Sequence, residues 1–359
     1  MLPSEKPVFD SKIIGSKTPE FVLRGLYQGI KKLVDESERI AIIQADNPDG
    51  DSLGSALALE EILGDAGKQT FLYCGVNIPE YLRHLDGWDR VSKEIPNKID
   101  LSIIVDTSAA ILLEKLDNSS YKSIVASKPV IVLDHHTDVE CDITYATLVI
   151  NDHDAVATGE VIYKLADELN WPLNLQAKTH ITSSILSDSL GLSSEGTTPN
   201  TYRIMADLIE GGVNRIKLEE ARRAQAKMPK TIFKYKATLI DRTELLSDDR
   251  IALVSIGHDE LMKYSPLYNP APLIQTDMLQ TEGVKVAIVL KVYNDGKITG
   301  SIRCNAGASI AADLASHFGG GGHVYASGFK VTDSRTAQAV KTECLTIATE
   351  LLDKITDKS

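Results

Sequence analysis

The sequence predicts an α/β protein with two domains, the first built on a mostly parallel sheet and the second smaller, joined by a helical connector. Short apolar runs alternate with helix-like segments through the first half of the chain, which is typical of a parallel sheet with crossover helices. The length of 359 residues is enough for two separate cores. We place the first domain at residues 1–200, the connector at 201–233 and the second domain at 234–359.

The first domain is expected to open with a helix and a buried strand. Thr18 suits a helix cap and Pro19 suits the first turn, and apolar residues with helical spacing follow. The run IAIIQ at 40–44 predicts a buried strand, and residues 53–66 predict a helix that ends near Gly67. A polar, glycine-containing loop lies between this strand and this helix.

The rest of the first domain continues the alternation. In its last predicted helix, Ile181, Ile185 and Asp188 fall on one stripe. The charged, helix-like segment that follows is the expected connector. The remaining predicted elements are strands at 70–74, 101–105 and 130–133 and helices at 157–170 and 174–188.

The second domain is expected to contain a hairpin and a terminal helix. Strand-like residues at 284–293 and 297–303 flank Asn294, Asp295 and Gly296, which tolerate the positive φ of a tight turn. The other predicted elements are a strand at 251–256, a short helix carrying Ile310, Leu314 and Phe318, the glycine run 319–322 and a helix at about 336–353.

Composition excludes several classes of protein. Hydrophobic residues make up 43% of the chain and charged residues 25%, as in globular proteins. No apolar run approaches the roughly 20 residues that cross a bilayer, and the N-terminal sequence has no apolar signal-peptide region. We therefore expect a cytoplasmic protein without a membrane partner. The spacing of the four cysteines fits neither a disulfide framework nor a zinc–cysteine site.

The net charge of −12 bears on the substrate. Proteins that hold long duplex DNA by its phosphates usually carry a basic surface, so we expect no such partner. An acidic protein binds anions locally, through metals or a few arginines. This favours a small phosphorylated substrate, such as a nucleotide or a short oligonucleotide. The sequence leaves open whether the chain forms a homodimer.

Four short segments carry carboxylates or histidines. Three of them follow predicted strands, where ligands of open α/β sheets bind. Acids brought together at that edge would repel one another unless cations lay between them, and oxygen ligands with some imidazole suit Mn²⁺ or Mg²⁺. Two such ions can clamp the attacking and leaving oxygens of a phosphoryl displacement. The residues are Asp49, Asp51, Asp106, Asp134, His135, His136 and Asp188.

Each segment also has a purely structural interpretation. Asp49 and Asp51 could form a turn and a helix cap, and Asp106 could merely end a strand. The glycine run 319–322 could be a flexible loop. Exposed glycine amides also bind phosphate, and Arg303 could fork onto the same group, so we favour a phosphate or terminal-nucleotide pocket there.

The motifs resemble those of a known family. NPDGDSLGS (47–55), VDTS (105–108), LDHHTD (133–138) and SDSLGL (187–192) resemble the four motifs of the DHH phosphoesterases. In addition, SIRCN (301–305) and FGGGGHVYASGF (318–329) resemble the DHHA1 substrate domain. The pairing is similar to the oligoribonucleases that also dephosphorylate 3′,5′-bisphosphorylated adenosine, the nanoRNase/pAp-phosphatase group, and the resemblance spans nearly the whole chain.

This resemblance implies a set of metal ligands for Mn²⁺ or Mg²⁺. One metal would be bound by Asp49 and Asp106. A second would be bound by Asp51, Asp106, His135 and Asp188, with Asp106 bridging the two ions.

The resemblance also implies catalytic and substrate-binding roles. His136 would lie close to the scissile phosphate, so the implied catalytic residues are Asp106, His135 and His136. The far end of the substrate would be held by Arg303, Gly320, Gly321, Gly322 and His323.

The first motif departs from the family pattern, His-x-x-Pro-Asp-x-Asp. The histidine position is Ala45, and the position at which RecJ-like members carry an acid is Asn47. Asn47 could offer a carbonyl oxygen, and Asp46 could reach the metal if the loop differs. Otherwise we expect the first metal site to be weak or empty.

Three functions therefore compete. The resemblance favours an exonuclease for short oligonucleotides that also hydrolyses nucleoside 3′,5′-bisphosphates. A cyclic or linear dinucleotide phosphodiesterase would use the same motifs. A nucleotide-binding homologue with weakened catalysis is the alternative from another class, and Ala45 is the residue that favours it.

Overall fold

The computed structural model describes residues 12–14, 20–137, 140–225, 227–265 and 268–356. The chain forms two compact units, Met1–Lys227 and Met228–Ser359. The predicted connector is divided between them, because its first two helices belong to the first unit and its last helix to the second. The helix cap predicted at Thr18 and Pro19 lies outside the described residues.

The first unit contains a six-stranded sheet in the order β1-β6-β5-β4-β2-β3. Every pairing in it is parallel, so the predicted parallel sheet is confirmed. Isoleucine, valine and leucine dominate the central strands, which are buried on both faces as parallel strands usually are. The strands are β1 Lys12–Ile14, β2 Arg39–Ile43, β3 Gln69–Tyr73, β4 Leu101–Val105, β5 Val130–Asp134 and β6 Leu148–Asp152.

Helices cover both faces of this sheet. On one face, Ile42 and Ile103 pack with residues of α1, α2, α5 and α6, and on the other, Ile43 and Ile104 pack with Leu116 and Val125 of α3 and α4. The helices are α1 Glu20–Asp35, α2 Gly50–Asp65, α3 Glu114–Asp117, α4 Tyr121–Ala126, α5 Thr158–Leu169, α6 Leu175–Asp188, α7 Pro199–Glu210 and α8 Arg215–Gln225; three 3-10 helices occupy Glu80–Leu82, Trp88–Arg90 and Ala110–Leu113.

The second unit contains a mixed six-stranded sheet in the order β11-β12-β10-β9-β8-β7. The predicted hairpin is confirmed: β9 pairs antiparallel with β10, and Gly296 in its turn has a φ of +82°. The strands are β7 Glu244–Leu246, β8 Ile251–Ile256, β9 Val286–Val292, β10 Ile298–Cys304, β11 Gly321–His323 and β12 Ala326–Val331.

Each face of the second sheet has its own core. The face carrying Ile302 and Phe329 packs on α12 and α13, and the face carrying Val254 and Val289 packs on α9, α10 and α11. The helices are α9 Lys230–Asp241, α10 His258–Tyr264, α11 Pro270–Leu279, α12 Ala311–His317 and α13 Ala337–Thr356. Among the described residues, no helix combines the length and the apolar composition that crossing a membrane requires.

Candidate metal centre

The first acidic segment forms the N-terminus of α2. Oδ1 of Asp49 accepts a hydrogen bond of 2.9 Å from the backbone N–H of Ser52, so Asp49 is the helix cap. A side chain at Gly50 would come within 2.6 Å of Oγ of Ser187, so glycine lets the start of α2 approach the end of α6. This close approach brings Asp51 near Asp188.

Asp51 is fully buried, and hydrogen bonds fix both of its oxygens. Oδ1 accepts from the hydroxyls of Ser184 and Ser55, at 2.6 and 2.9 Å, and from the backbone of Gly159, at 3.3 Å. Oδ2 accepts from the backbone of Thr158 at 2.7 Å. These partners were not found from the sequence. The available signal was polar side chains on the buried faces of two predicted helices.

Asp106 follows β4 and has a left-handed backbone, with a φ of +62°. Such a conformation costs a non-glycine residue of order 1–3 kcal/mol and often marks a functional site. Its backbone N–H donates to the carbonyl of Leu133, at 2.9 Å, and its Oδ1 accepts from the hydroxyl of Thr158, at 3.2 Å. Burial and the nearby carboxylates, Asp51 first among them, raise its pKa well above the ordinary value.

Asp134 orients the side chain of His136. Its Oδ1 lies 2.8 Å from Nδ1 of His136 and also accepts from the backbone of His135, at 2.8 Å. Burial alone would raise the pKa of Asp134, but the hydrogen bond and charge of His136 outweigh burial and lower it. The amide of Asn151 donates to the carbonyl of His136, which fixes the backbone as well.

Three carboxylates converge on one imidazole nitrogen. Nε2 of His135 lies 3.3 Å from Oδ2 of Asp188, 3.4 Å from Oδ2 of Asp51 and 3.6 Å from Oδ1 of Asp106. This nitrogen is buried and has no hydrogen-bond partner among the described residues. Burial opposes a charge on His135, but the surrounding carboxylates outweigh it and raise the pKa to about 9. An imidazole and three carboxylates fit a hard or borderline divalent cation.

Two overlapping groups of ligand atoms exist in the described part of the chain. One contains Asp51, His135 and Asp188, and the other contains Asp106, His135 and His136. In the second group, Nδ1 of His136 is already bonded to Asp134. The first group, with the adjacent oxygen of Asp106, is therefore the better candidate for a metal centre, and together they are the four ligands that the resemblance implies for the second metal.

The predicted first metal site has no side-chain donor at position 45. Ala45 is buried and offers no side-chain donor, and Asn47 is exposed. Oδ2 of Asp46 accepts a 2.7 Å hydrogen bond from the backbone of Lys115, so this carboxylate holds the start of α3. Asp49 caps α2 and belongs to neither ligand group. Its role as a metal ligand stays a prediction.

Two of the predicted substrate residues of the second unit, Arg303 and His323, share one row of its sheet. Ala326 of β12 is opposite Arg303 of β10 on one side and His323 of β11 on the other. Residues paired in this way point to the same face, and both side chains are exposed. Their roles in binding substrate stay predictions.

Close backbone approach explains part of the glycine run. A side chain at Gly320 would collide with the backbone carbonyl of Gly328, and Gly322 has a φ of +139°. Gly321 has open space where a side chain would lie, so packing does not require glycine there. Gly321 begins β11, which spans Gly321–His323, so the alternative interpretation of the run as a flexible loop does not hold for Gly321 and Gly322.

Comparisons with known proteins agree with this architecture. The model of the DHH family N-terminal domain matches residues 39–190, and the DHHA1 domain model matches residues 271–354. Among solved structures, an exopolyphosphatase-related protein from Bacteroides fragilis has a TM-score of 0.76 at 19% identity, covering 92% of this chain and 98% of that one. At that identity the likeness shows the fold alone.

Two relatives span most of the chain. An uncharacterized protein of Mycoplasma pneumoniae, the MG371 homolog, is 29% identical over 300 residues, which is 80% of this chain and 85% of that protein. The bifunctional oligoribonuclease and PAP phosphatase NrnA of Bacillus subtilis is 26% identical over 311 residues, 84% of this chain and 92% of that protein. With both domain models matched in this order, the chain carries a DHH family N-terminal domain followed by a DHHA1 domain.

Proposed function

We propose that this chain is a divalent-metal-dependent phosphoesterase that hydrolyses short oligonucleotides and nucleoside 3′,5′-bisphosphates. The observation that carries the proposal is the convergence of the carboxylates of Asp51, Asp106 and Asp188 on the buried Nε2 of His135. Without a metal ion, only a proton on His135 would offset the three carboxylates in a site largely closed to water, and a single positive charge among several buried acids is costly.

The metal would be Mn²⁺ or Mg²⁺, held by Asp51, Asp106, His135 and Asp188. A bound divalent ion would polarise the phosphate and lower the pKa of a bound water. Oδ2 of Asp51 faces His135, while its Oδ1 is occupied by three protein donors. Asp51 would therefore offer one oxygen to the ion. Two hydroxyls and two backbone amides hold that carboxylate in place.

His136 would bind the phosphate. Its Nδ1 is bonded to Asp134, and its side chain is 49% exposed. With one nitrogen anchored, the other is free to donate to a phosphate oxygen or to a leaving group. The hydrogen bond to Asp134 also fixes the plane of the ring, so the donor would be oriented before substrate arrives.

Two observations favour a small nucleotide substrate. The net charge of −12 offers little to a long phosphate backbone. The relative from Bacillus subtilis, matched over 92% of its length, is named for oligoribonuclease and PAP phosphatase activities. Arg303 and His323, on one face of the second sheet, would bind the end of the substrate away from the reacting phosphorus.

A turnover panel tests the proposal. It contains a dinucleotide, a five-nucleotide RNA, a 20-nucleotide RNA, adenosine 3′,5′-bisphosphate and a cyclic dinucleotide, each with Mn²⁺, with Mg²⁺ and after chelation. We expect metal-dependent release of mononucleotides from the shortest substrates and of phosphate from the bisphosphate. Preference for the cyclic dinucleotide would favour the alternative function, a dinucleotide phosphodiesterase. Faster cleavage of the 20-nucleotide RNA would contradict the proposal of a small substrate. Binding without turnover in every arm would support the nucleotide-binding homologue.

A further inference from the structure

Thr158, the first residue of α5, touches two of the proposed metal ligands at once. Its backbone N–H donates to Oδ2 of Asp51 at 2.7 Å, and its hydroxyl donates to Oδ1 of Asp106 at 3.2 Å. The residue is fully buried. These are the same two oxygens that face Nε2 of His135, at 3.4 and 3.6 Å.

The two carboxylates come from different parts of the fold. Asp51 lies in the first turn of α2, and Asp106 follows β4 in a left-handed conformation. As ionised groups they repel each other, and that repulsion would rotate their side chains apart when no cation lies between them. A residue that donates to both opposes this movement.

The hydroxyl of Thr158 does not act as a helix cap. The capping position of α5 is Ala157, which has extended backbone angles and makes no side-chain cap bond. A threonine in a helix commonly bonds its hydroxyl to its own backbone. Here the hydroxyl bonds instead to Asp106, which is distant in sequence.

We propose that Thr158 is a positioning residue that holds the ligand oxygens of Asp51 and Asp106 together for one divalent cation. It acts through the two carboxylates and does not itself touch the substrate. The inference rests on the metal centre of the proposed function but not on the choice of substrate. Groups that orient metal ligands typically change metal affinity about 10- to 100-fold when removed.

The test uses two variants of Thr158 and a matched control. Thr158→Val keeps the shape and the backbone N–H but removes the hydroxyl, and Thr158→Ser keeps the hydroxyl but removes the methyl group. The control is Thr201→Val, because Thr201 is also fully buried and its hydroxyl donates to Glu160, at 2.9 Å, outside the ligand groups. Each full-length, metal-free protein is titrated with Mn²⁺ by calorimetry, and its melting temperature is measured without metal.

We expect Thr158→Val to weaken Mn²⁺ binding about 10-fold or more, consistent with the loss of a ligand-orienting group. Thr158→Ser should restore most of the affinity, and Thr201→Val should lower the melting temperature but leave the affinity unchanged. Wild-type affinity in Thr158→Val, or an equal loss of affinity in Thr201→Val, would overturn the role of Thr158 while leaving the metal centre intact. Failure of the wild-type protein to bind Mn²⁺ would overturn the metal centre and this role with it.

Discussion

Nε2 of His135 lies 3.3 Å from Oδ2 of Asp188, although the two residues come from the end of a strand and the end of a helix. His135 directly follows β5, and Asp188 is the last residue of α6. The contact depends on the close approach of α2 and α6 that Gly50 permits, because a larger residue there would collide with Ser187. The geometry of the proposed centre therefore depends on helix packing as much as on the sheet.

Replacing Asp106 with asparagine should abolish metal-dependent hydrolysis while keeping the fold. Asparagine has nearly the same shape and tolerates the left-handed backbone at this position, where alanine would be strained. The change removes one of several buried negative charges, so the metal-free variant should melt at or above the wild-type temperature. Mn²⁺ titration, turnover and thermal melting measure these effects. Asp154→Asn, an exposed acid, is the control. Wild-type turnover in Asp106→Asn would refute the ligand assignment.

Arg303→Ala and His323→Ala should raise KM more than they lower kcat. The two side chains share one sheet face, opposite Ala326, and would bind parts of the substrate that do not react. Steady-state kinetics with a dinucleotide separate the two constants. His317→Ala is a control, since that exposed histidine pairs with Glu343 on another part of the second unit. A large fall in kcat at unchanged KM would place the two residues in the chemical step.

His180 should make the folded state sensitive to acid. It is 1% exposed, neither ring nitrogen has a hydrogen-bond partner in the described part of the chain, and burial lowers its pKa to about 4. The charge of Arg90 also lowers this pKa, while that of Asp86 raises it. Because the unfolded chain binds the proton more readily, stability is fully present above pH 6.5 and is lost as the pH falls toward 4.

The loss from this histidine amounts to roughly 3 kcal/mol at most. Urea unfolding at pH 7 and at pH 4.5 measures it, comparing wild type with His180→Leu. The variant should lose less stability between the two pH values, whereas His323→Gln, which removes an exposed imidazole, should behave as wild type does. Identical pH dependence in wild type and His180→Leu would show that this burial does not control acid stability.

The sequence predicted where the ligands would meet but not what holds them. A parallel sheet with Asp106 and His135 after neighbouring strands follows from apolar runs and their order, because carboxyl ends of parallel strands share one edge. The donors to Asp51 could not be predicted, since Thr158 and Ser184 lie 107 and 133 positions away. Only the packing of α2, α5 and α6 makes them neighbours.

The local sequence pattern also did not predict the boundaries of several helices and strands. α2 was predicted from residue 53 but begins at Gly50, because Asp49 caps the helix. The polar residues of the motif that follow Asp49 therefore form the first turn of α2. The strand β11 was not predicted, because three residues that include two glycines carry little strand signal. It forms because Gly320 and Gly322 allow the backbone to lie close to β12.

Ala45 is expected to limit the protein to one tightly bound metal. Its buried side chain offers no donor, and its carbonyl accepts from the thiol of Cys74, at 3.3 Å. Asp46 cannot substitute for a histidine here without giving up the bond from the backbone of Lys115. Asp49 and Asp106 alone would leave a first ion mostly bound to water, so we expect that site to fill only at high metal concentration or when a substrate phosphate completes it.

Ala45→His should therefore add a second Mn²⁺ per chain, and Ala45→Leu should not. Leucine controls for bulk at this buried position, so any difference between the two variants reports the added imidazole. Calorimetric titration of metal-free protein should give one tight Mn²⁺ for wild type and for Ala45→Leu and two for Ala45→His. Turnover of Ala45→His at low Mn²⁺ should rise above that of wild type, because two ions can stabilise both the attacking and the leaving oxygen. Two tight ions in wild type would mean that the first metal site fills without a donor at residue 45. The same single ion in all three proteins would mean that residue 45 does not face that site.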